Sequence, residues 1–161
     1  METPLADVRL EDLEGQTHVL GTYAREGRAV ALVFVSVRCP VSNAYHTRLA
    51  RLGRDLGERG VAYFGVNANA DETIAEIREH ARQHGLTFPI LKDAENHLAD
   101  RLGAQVTPEA FLFDGTGRLR YHGRIDNHPD DDRVTEETLA LAVDAVLAGR
   151  EPAARQAFQP S

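Results

Sequence analysis

Cysteine occurs once in the chain, at Cys39, in the stretch FVSVRCPVSNAYH that runs from Phe34 to His46. An apolar run leads into it, Pro40 follows at once, and a helical pattern begins. Pro40 suits a first helical position, because its missing N–H would be unpartnered there anyway. The sulfur then faces the free N–H groups and the positive end of a helix, which stabilise a thiolate. Its pKa is therefore expected below the free value of about 8.5. Arg38, next in sequence, adds positive charge. A lone thiol closes no internal disulfide and needs no oxidising compartment to fold. It can still form a sulfenic acid or a mixed disulfide that another molecule must resolve. The competing reading is a small buried apolar residue.

Ser36 and Ser42 stand three residues to either side of Cys39. Ser42, within one turn, either donates a hydrogen bond to the thiolate or satisfies backbone at the helix start. His46 lies roughly 10 Å further along a continuous helix, too far to be the direct base unless the helix bends. A second unusual stretch is QVTPEAFLFD, where a proline opens an apolar strand although it cannot donate to a ladder. From the residues alone the Thr107–Pro108 bond is cis or trans with equal weight; a cis bond would make a tight, fixed bend that exposes backbone to an incoming strand.

The elements that must position these residues follow from the hydrophobic pattern. Val8 to Leu20 reads as a hairpin turning at Glu14-Gly15. Ala29 to Ser36 and Val61 to Val66 are continuous β-branched or apolar runs, as buried strands require. Pro40 to about Gly57 reads as one helix, with Leu49, Leu52 and Leu56 on one face. Asp71 is expected to cap a helix from Glu72 to His84, and Gly85 to end it. FPIL is a short extended piece, and Ala94 to Leu102 a short helix closed by Gly103. Glu109 to Phe113, the turn DGTGR and Leu119 to His122 make a second hairpin. Thr135 caps a last helix through Leu147, and residues 150–161 form a loosely held tail. Alternating βαβ followed by a hairpin and a helix predicts an α/β fold: a central mixed sheet with helices on both faces and an N-terminal β-hairpin. One domain spanning 1–161 is expected.

Composition narrows the function classes. Apolar residues make up 42% of the chain, enough for a core. The net charge of −7 and the absence of any dense Lys/Arg run speak against nucleic acid as a partner. The longest apolar run, Ala29 to Val35, is too short to span a bilayer, so no membrane partner is expected. The opening METPLADVRL shows no basic segment before an apolar one, and a cytoplasmic location is expected on that ground.

These residues resemble a known group. A lone Cys at a strand-to-helix junction (CPVSNAY), a strand ending in GVNAN, and TPEAFLFD followed by YHGRID are similar to the thioredoxin superfamily. More narrowly they resemble its redoxin branch of alkyl hydroperoxide reductase and thiol-specific antioxidant proteins, in a peroxiredoxin-like bacterial subgroup. The likeness runs from about Val8 to Leu147. It implies a thioredoxin-like sandwich, Cys39 as the attacking cysteine, and Pro108 after Thr107 as the cis-proline beside it. It also implies an antioxidant or thiol-exchange role with no cofactor. The departures are specific. The second cysteine of thioredoxins would fall at Ser42, and the first cysteine of some subgroup members at Ser36. The proline, threonine and arginine of peroxiredoxins would fall at Leu32, Ser36 and Pro108, so peroxide reduction by that route is not supported.

Other motifs carry less. His80 and His84 have the i, i+4 spacing of a zinc-binding helix, but no third ligand shows a convincing spacing, and no metal site is expected. DNHPDDD, Asp126 to Asp132, reads as a solvated turn. Arg124 and Asp126 are read as an ion pair or a turn. The leading function is a thiol oxidoreductase with Cys39 as sole nucleophile, supported by Ser36, Arg38, Pro40, Ser42, Thr107 and Pro108. Its substrate would be a peroxide or a disulfide. Its partner would be an external thiol, either a small molecule or a thioredoxin-like protein. The alternatives are a non-catalytic thioredoxin-fold binding module and a redox sensor dimerising through Cys39.

Overall fold

The computed structural model describes residues 5–104, 106–153 and 155–157. A sheet of eight strands crosses the molecule in the order β2-β1-β5-β4-β3-β6-β7-β8. Its centre is β3 (Val30–Phe34), parallel to β4 (Ala62–Asn67) and antiparallel to β6 (Glu109–Phe113). Both β3 and β4 are buried along their whole length, which explains their apolar sequence up to Asn67 at the end of β4. Next to β4 runs β5 (Ile90–Lys92), and the N-terminal hairpin of β1 (Arg9–Asp12) and β2 (Thr17–Val19) adds to its free side. On the other flank β7 (Leu119–Gly123) pairs with β6, and β8 (Gln156–Ala157) pairs with β7. The expected α/β sandwich with its N-terminal hairpin is the fold observed.

Strand alternation divides the core between the two faces. Ala31, Val33 and Val35 point to one side, where Leu49 and Leu56 of α3 (His46–Glu58) meet them. Ile77 and Ala81 of α4 (Ile74–Gln83) and Leu139 and Val143 of α6 (Thr138–Leu147) complete that layer. Val30, Leu32 and Phe34 point to the other side, against Leu98 and Ala99 of α5 (His97–Leu102). Tyr23 of α1 (Gly21–Arg25), an element with no clear sequence signal, packs there too. Each fully buried leucine contributes about 1.5–3 kcal/mol, so both layers are needed to hold the sheet.

Four sequence expectations change. The helix expected from Pro40 to Gly57 is two: α2 (Pro40–Asn43), then α3. Tyr45 leaves helical geometry at φ −104°, ψ 1°, and its side chain is fully buried. The cap of α4 is Thr73, not Asp71. Its hydroxyl accepts from the Glu76 N–H while the Glu76 carboxylate accepts from the Thr73 N–H, a reciprocal capping box. Thr135 does not cap α6: its hydroxyl accepts from the Asn127 amide, and α6 begins at Thr138. Within the tail expected to be loose, Gln156–Ala157 are held as β8; residues 154 and 158–161 lie outside the described residues. Gly123 permits that docking. Its φ is +137°, and a Cβ there would sit 1.7 Å from the Ala157 carbonyl oxygen. Among the described residues, no helix is long and apolar enough to cross a membrane.

Candidate active site

Cys39 leaves β3 in extended geometry (φ −83°, ψ 116°) and stands as the N-cap of α2, with Pro40 at the first helical position. The thiol is partly buried. It lies 3.7 Å from the carbonyl oxygen of Thr107, and the Thr107–Pro108 bond is cis. These two chain segments, 68 residues apart, meet at the sulfur.

Opposing influences set the acidity of Cys39. Burial pushes its pKa up and is the largest single influence. The Thr107 side chain and the backbone N–H groups of Ser42 and Val41 favour the anion, and together they bring the thiol below its ordinary value. The Thr107 carbonyl is different, because it accepts from S–H and so serves the thiol form. Glu72 opposes the anion through its charge.

Glu72 is the residue that sequence reasoning missed. It is only 2% exposed, directly under the cysteine loop. Its carboxylate accepts from the Ser36 hydroxyl (3.0 Å), the Val37 N–H (2.9 Å) and the Arg38 N–H (3.2 Å). It also accepts from the Asn67 amide at 2.9 Å. Burial would raise its pKa, but the Val37 N–H, Asn67, Ser36 and Asn69 overcome that and hold it at about 2. A carboxylate with this many donors stays ionised and pins the loop backbone that presents Cys39.

The two asparagines of GVNAN belong to the same network. Asn69 donates to the Ser36 hydroxyl at 2.8 Å. Lys92, the only lysine in the chain, sends its ammonium to Asn67 Oδ1 (3.1 Å), the Asn69 carbonyl (2.6 Å) and the Glu72 carbonyl (2.8 Å). Three convergent acceptors suit the three donors of one ammonium, where the planar fork of arginine would not fit.

The remaining sequence-predicted residues sort by position. Ser36 is buried and committed to Glu72 and Asn69. The Ser42 hydroxyl accepts from the Ser36 N–H at 3.2 Å; only its backbone N–H serves the sulfur. Arg38 turns outward to Asp71 (3.1 Å) and Glu76 (2.6 Å). Asp126 pairs with Arg48 at 2.8 Å, both buried, while Arg124 pairs with Glu136 at 2.5 Å. Tyr45 donates to Asp126 at 3.2 Å, and the Arg48 guanidinium covers its ring at 3.7 Å. This cluster ties the YHGRID turn to the start of α3.

Beside Cys39 opens a cleft of about 560 Å³, lined by Phe34, Val41, Ala68, Ala99, Val106 and Thr107 among others. Val41 and Val106, 40% and 53% exposed, flank the thiol with apolar surface.

A lone cysteine at a helix start, beside a cis Thr107–Pro108 bond at the edge of a mixed sheet, defines a thioredoxin-like fold with no second cysteine. The chain matches the model of the AhpC/TSA family over residues 1–122, and it belongs to that family. It is 31% identical to the thiol-disulfide oxidoreductase ResA of Halalkalibacterium halodurans over 68% of this chain and 60% of that protein. It therefore spans less than two thirds of ResA. It is 31% identical to the thiol:disulfide interchange protein DsbE of Escherichia coli over 84% of this chain and 70% of DsbE. A hypothetical protein of Sinorhizobium meliloti superposes with a TM-score of 0.84 at 34% identity, covering 96% of this chain and 87% of that one.

The comparisons correct the expected cytoplasmic location. Beside ResA and DsbE stands a secreted disulfide oxidoreductase of Mycobacterium tuberculosis, with a TM-score of 0.61 at 19% identity over 71% of this chain and 81% of that one. The cytoplasmic reading rested on a missing signal pattern, and a missing pattern assigns no compartment.

Proposed function

We propose that the protein is a thiol–disulfide oxidoreductase in which Cys39 is the sole nucleophile and an external thiol completes the cycle. One observation carries this reading: Cys39 caps α2 with the N–H groups of Val41 and Ser42 and the Thr107 side chain favouring its anion, at the edge of an apolar cleft. The thiolate attacks one sulfur of a disulfide R–S–S–R′, forming Cys39–S–S–R and expelling R′–S⁻. An incoming thiolate R″–S⁻ then attacks the R sulfur. It leaves as R–S–S–R″ and returns Cys39 as thiolate. Serines at positions 36 and 42 leave the second step to another molecule, a small thiol or a thioredoxin-like protein.

A disulfide is favoured over a peroxide as substrate. The peroxiredoxin positions read Leu32, Ser36 and Pro108, and the Ser36 hydroxyl is engaged by Glu72 and Asn69. Val41 and Val106 offer apolar contact to a polypeptide chain carrying the disulfide. Intact-mass analysis after exposure to glutathione disulfide, and separately to peroxide, tests the reading. One glutathione adduct on Cys39, removed by added thiol, is the expected result. No adduct under either condition would overturn it in favour of a binding module, and a covalent dimer would favour a redox sensor.

A further inference from the structure

We propose that His46, His80 and His84 form a binding site for a divalent transition metal of the zinc class, with three imidazole ligands and a fourth position open to water. His80 and His84 supply the i, i+4 pair on α4, and the third ligand missing from that pattern comes from α3. The break at Tyr45 starts α3 at His46 and sets its ring against the other two, with ring centroids 4.7 Å from His80 and 4.1 Å from His84. One nitrogen from each ring lies within 4.8 Å of the others. Tetrahedral zinc at about 2.0–2.1 Å from nitrogen asks for donors about 3.4 Å apart. Side-chain rotation covers that difference.

Asn43 supplies an outer shell. Its Oδ1 lies 3.0 Å from His46 Nε2 and 3.2 Å from His80 Nε2. Metal-binding histidines commonly donate their second ring N–H to such an oxygen, which sets the tautomer and turns the other lone pair toward the ion. An all-nitrogen set selects zinc, copper, nickel or cobalt over calcium or magnesium.

The site is separate from the thiol. The small cavity lined by His46 and His80 does not include Cys39. The two are mechanically joined, because the Asn43 amide donates to the Val37 carbonyl at 2.8 Å and its N–H to the Cys39 carbonyl at 2.9 Å. An ion on the imidazoles would brace the cysteine loop from behind.

The untagged chain is titrated with Zn²⁺ by calorimetry and with Co²⁺ by visible absorption. Cys39→Ser is run in parallel, because the thiol is the rival ligand. One ion per chain is expected in both proteins, with a tetrahedral or five-coordinate Co²⁺ spectrum. Binding should weaken at least tenfold in both His84→Gln, an exposed position, and His80→Gln, each checked for native fold by circular dichroism. Absence of saturable binding would overturn the site. So would binding that survives both histidine changes, or binding lost in Cys39→Ser. The Cys39→Ser arm has no redox chemistry, so the outcome is independent of the oxidoreductase reading.

Discussion

Cys39 and the His46–His80–His84 cluster both touch α2, the thiol as its N-cap and two of the imidazoles through Asn43, yet they are assembled differently. The thiol owes its N-cap position to its immediate neighbours, an apolar strand before it and Pro40 after it. The imidazoles come from two helices, with His46 and His80 separated by 34 residues, and meet only because the chain breaks at Tyr45. The thiol lines a cleft with flanking apolar side chains; His46 and His80 line a small cavity and are held by Asn43. Chemistry built within one turn of chain leaves a local pattern. Chemistry built between helices leaves only a list of residue types.

The largest effect expected from any single change separates the two regions. Cys39→Ser should abolish the glutathione adduct, read by intact mass, while leaving the imidazole cluster unaltered. Loss of folded structure in that variant would show that the thiol is part of the core instead.

Ser42→Cys should add what the site lacks. It creates a Cys-x-x-Cys pair across one turn of α2, which small backbone adjustments can bridge. Mild oxidation should then close an internal disulfide, and insulin reduction with a thiol donor should run faster than in the wild type. Ser36→Cys tests the strand side. Failure of both to cross-link would contradict the geometry described around Cys39.

Glu72→Gln sharpens the comparison from below the loop. The amide cannot replace the carboxylate for all of its donors, and a loss of about 2–4 kcal/mol in unfolding free energy is expected. The linkage has a definite sign. Folding depresses the Glu72 pKa from the ordinary 4.5 to about 2, so its stabilisation is fully present above about pH 5. It is lost as pH falls through the folded value, and amounts to about 3 kcal/mol. Urea unfolding at pH 7 and pH 3 should show a larger acid loss in wild type than in Glu72→Gln. Equal losses would remove Glu72 as the anchor.

The strands and the two hairpins were legible because period-2 and apolar-run patterns are local; the meeting of Cys39 with Thr107-Pro108 was implied by the family resemblance. The break at Tyr45 was not, since the apolar spacing of Leu49, Leu52 and Leu56 reads as one uninterrupted helix from Pro40. Glu72 was hidden beside Asp71, two acids before a helix, where either suggests a cap. Its burial depends on Val37, Asn67 and Ser36, and the last is 36 residues away. Lys92 carries no local signal, because its three acceptors come together only in the fold. Asp126 was matched to nearby Arg124, while its partner Arg48 lies 78 residues distant.

The smallest effect concerns one hydroxyl. Thr107→Val removes the side-chain hydrogen bond to the sulfur but keeps the branched shape. The Cys39 pKa should rise toward its ordinary value, read as a later midpoint in the pH dependence of alkylation.

The pH dependence of Cys39 alkylation by iodoacetamide, followed by mass, tests the central claim most directly. A single titration with a midpoint below about 8.5, with fast modification at neutral pH, is the result predicted for a thiolate held by the α2 N–H groups and Thr107. A midpoint at or above that value, with sluggish modification, would contradict the claim and leave Cys39 as a packed side chain.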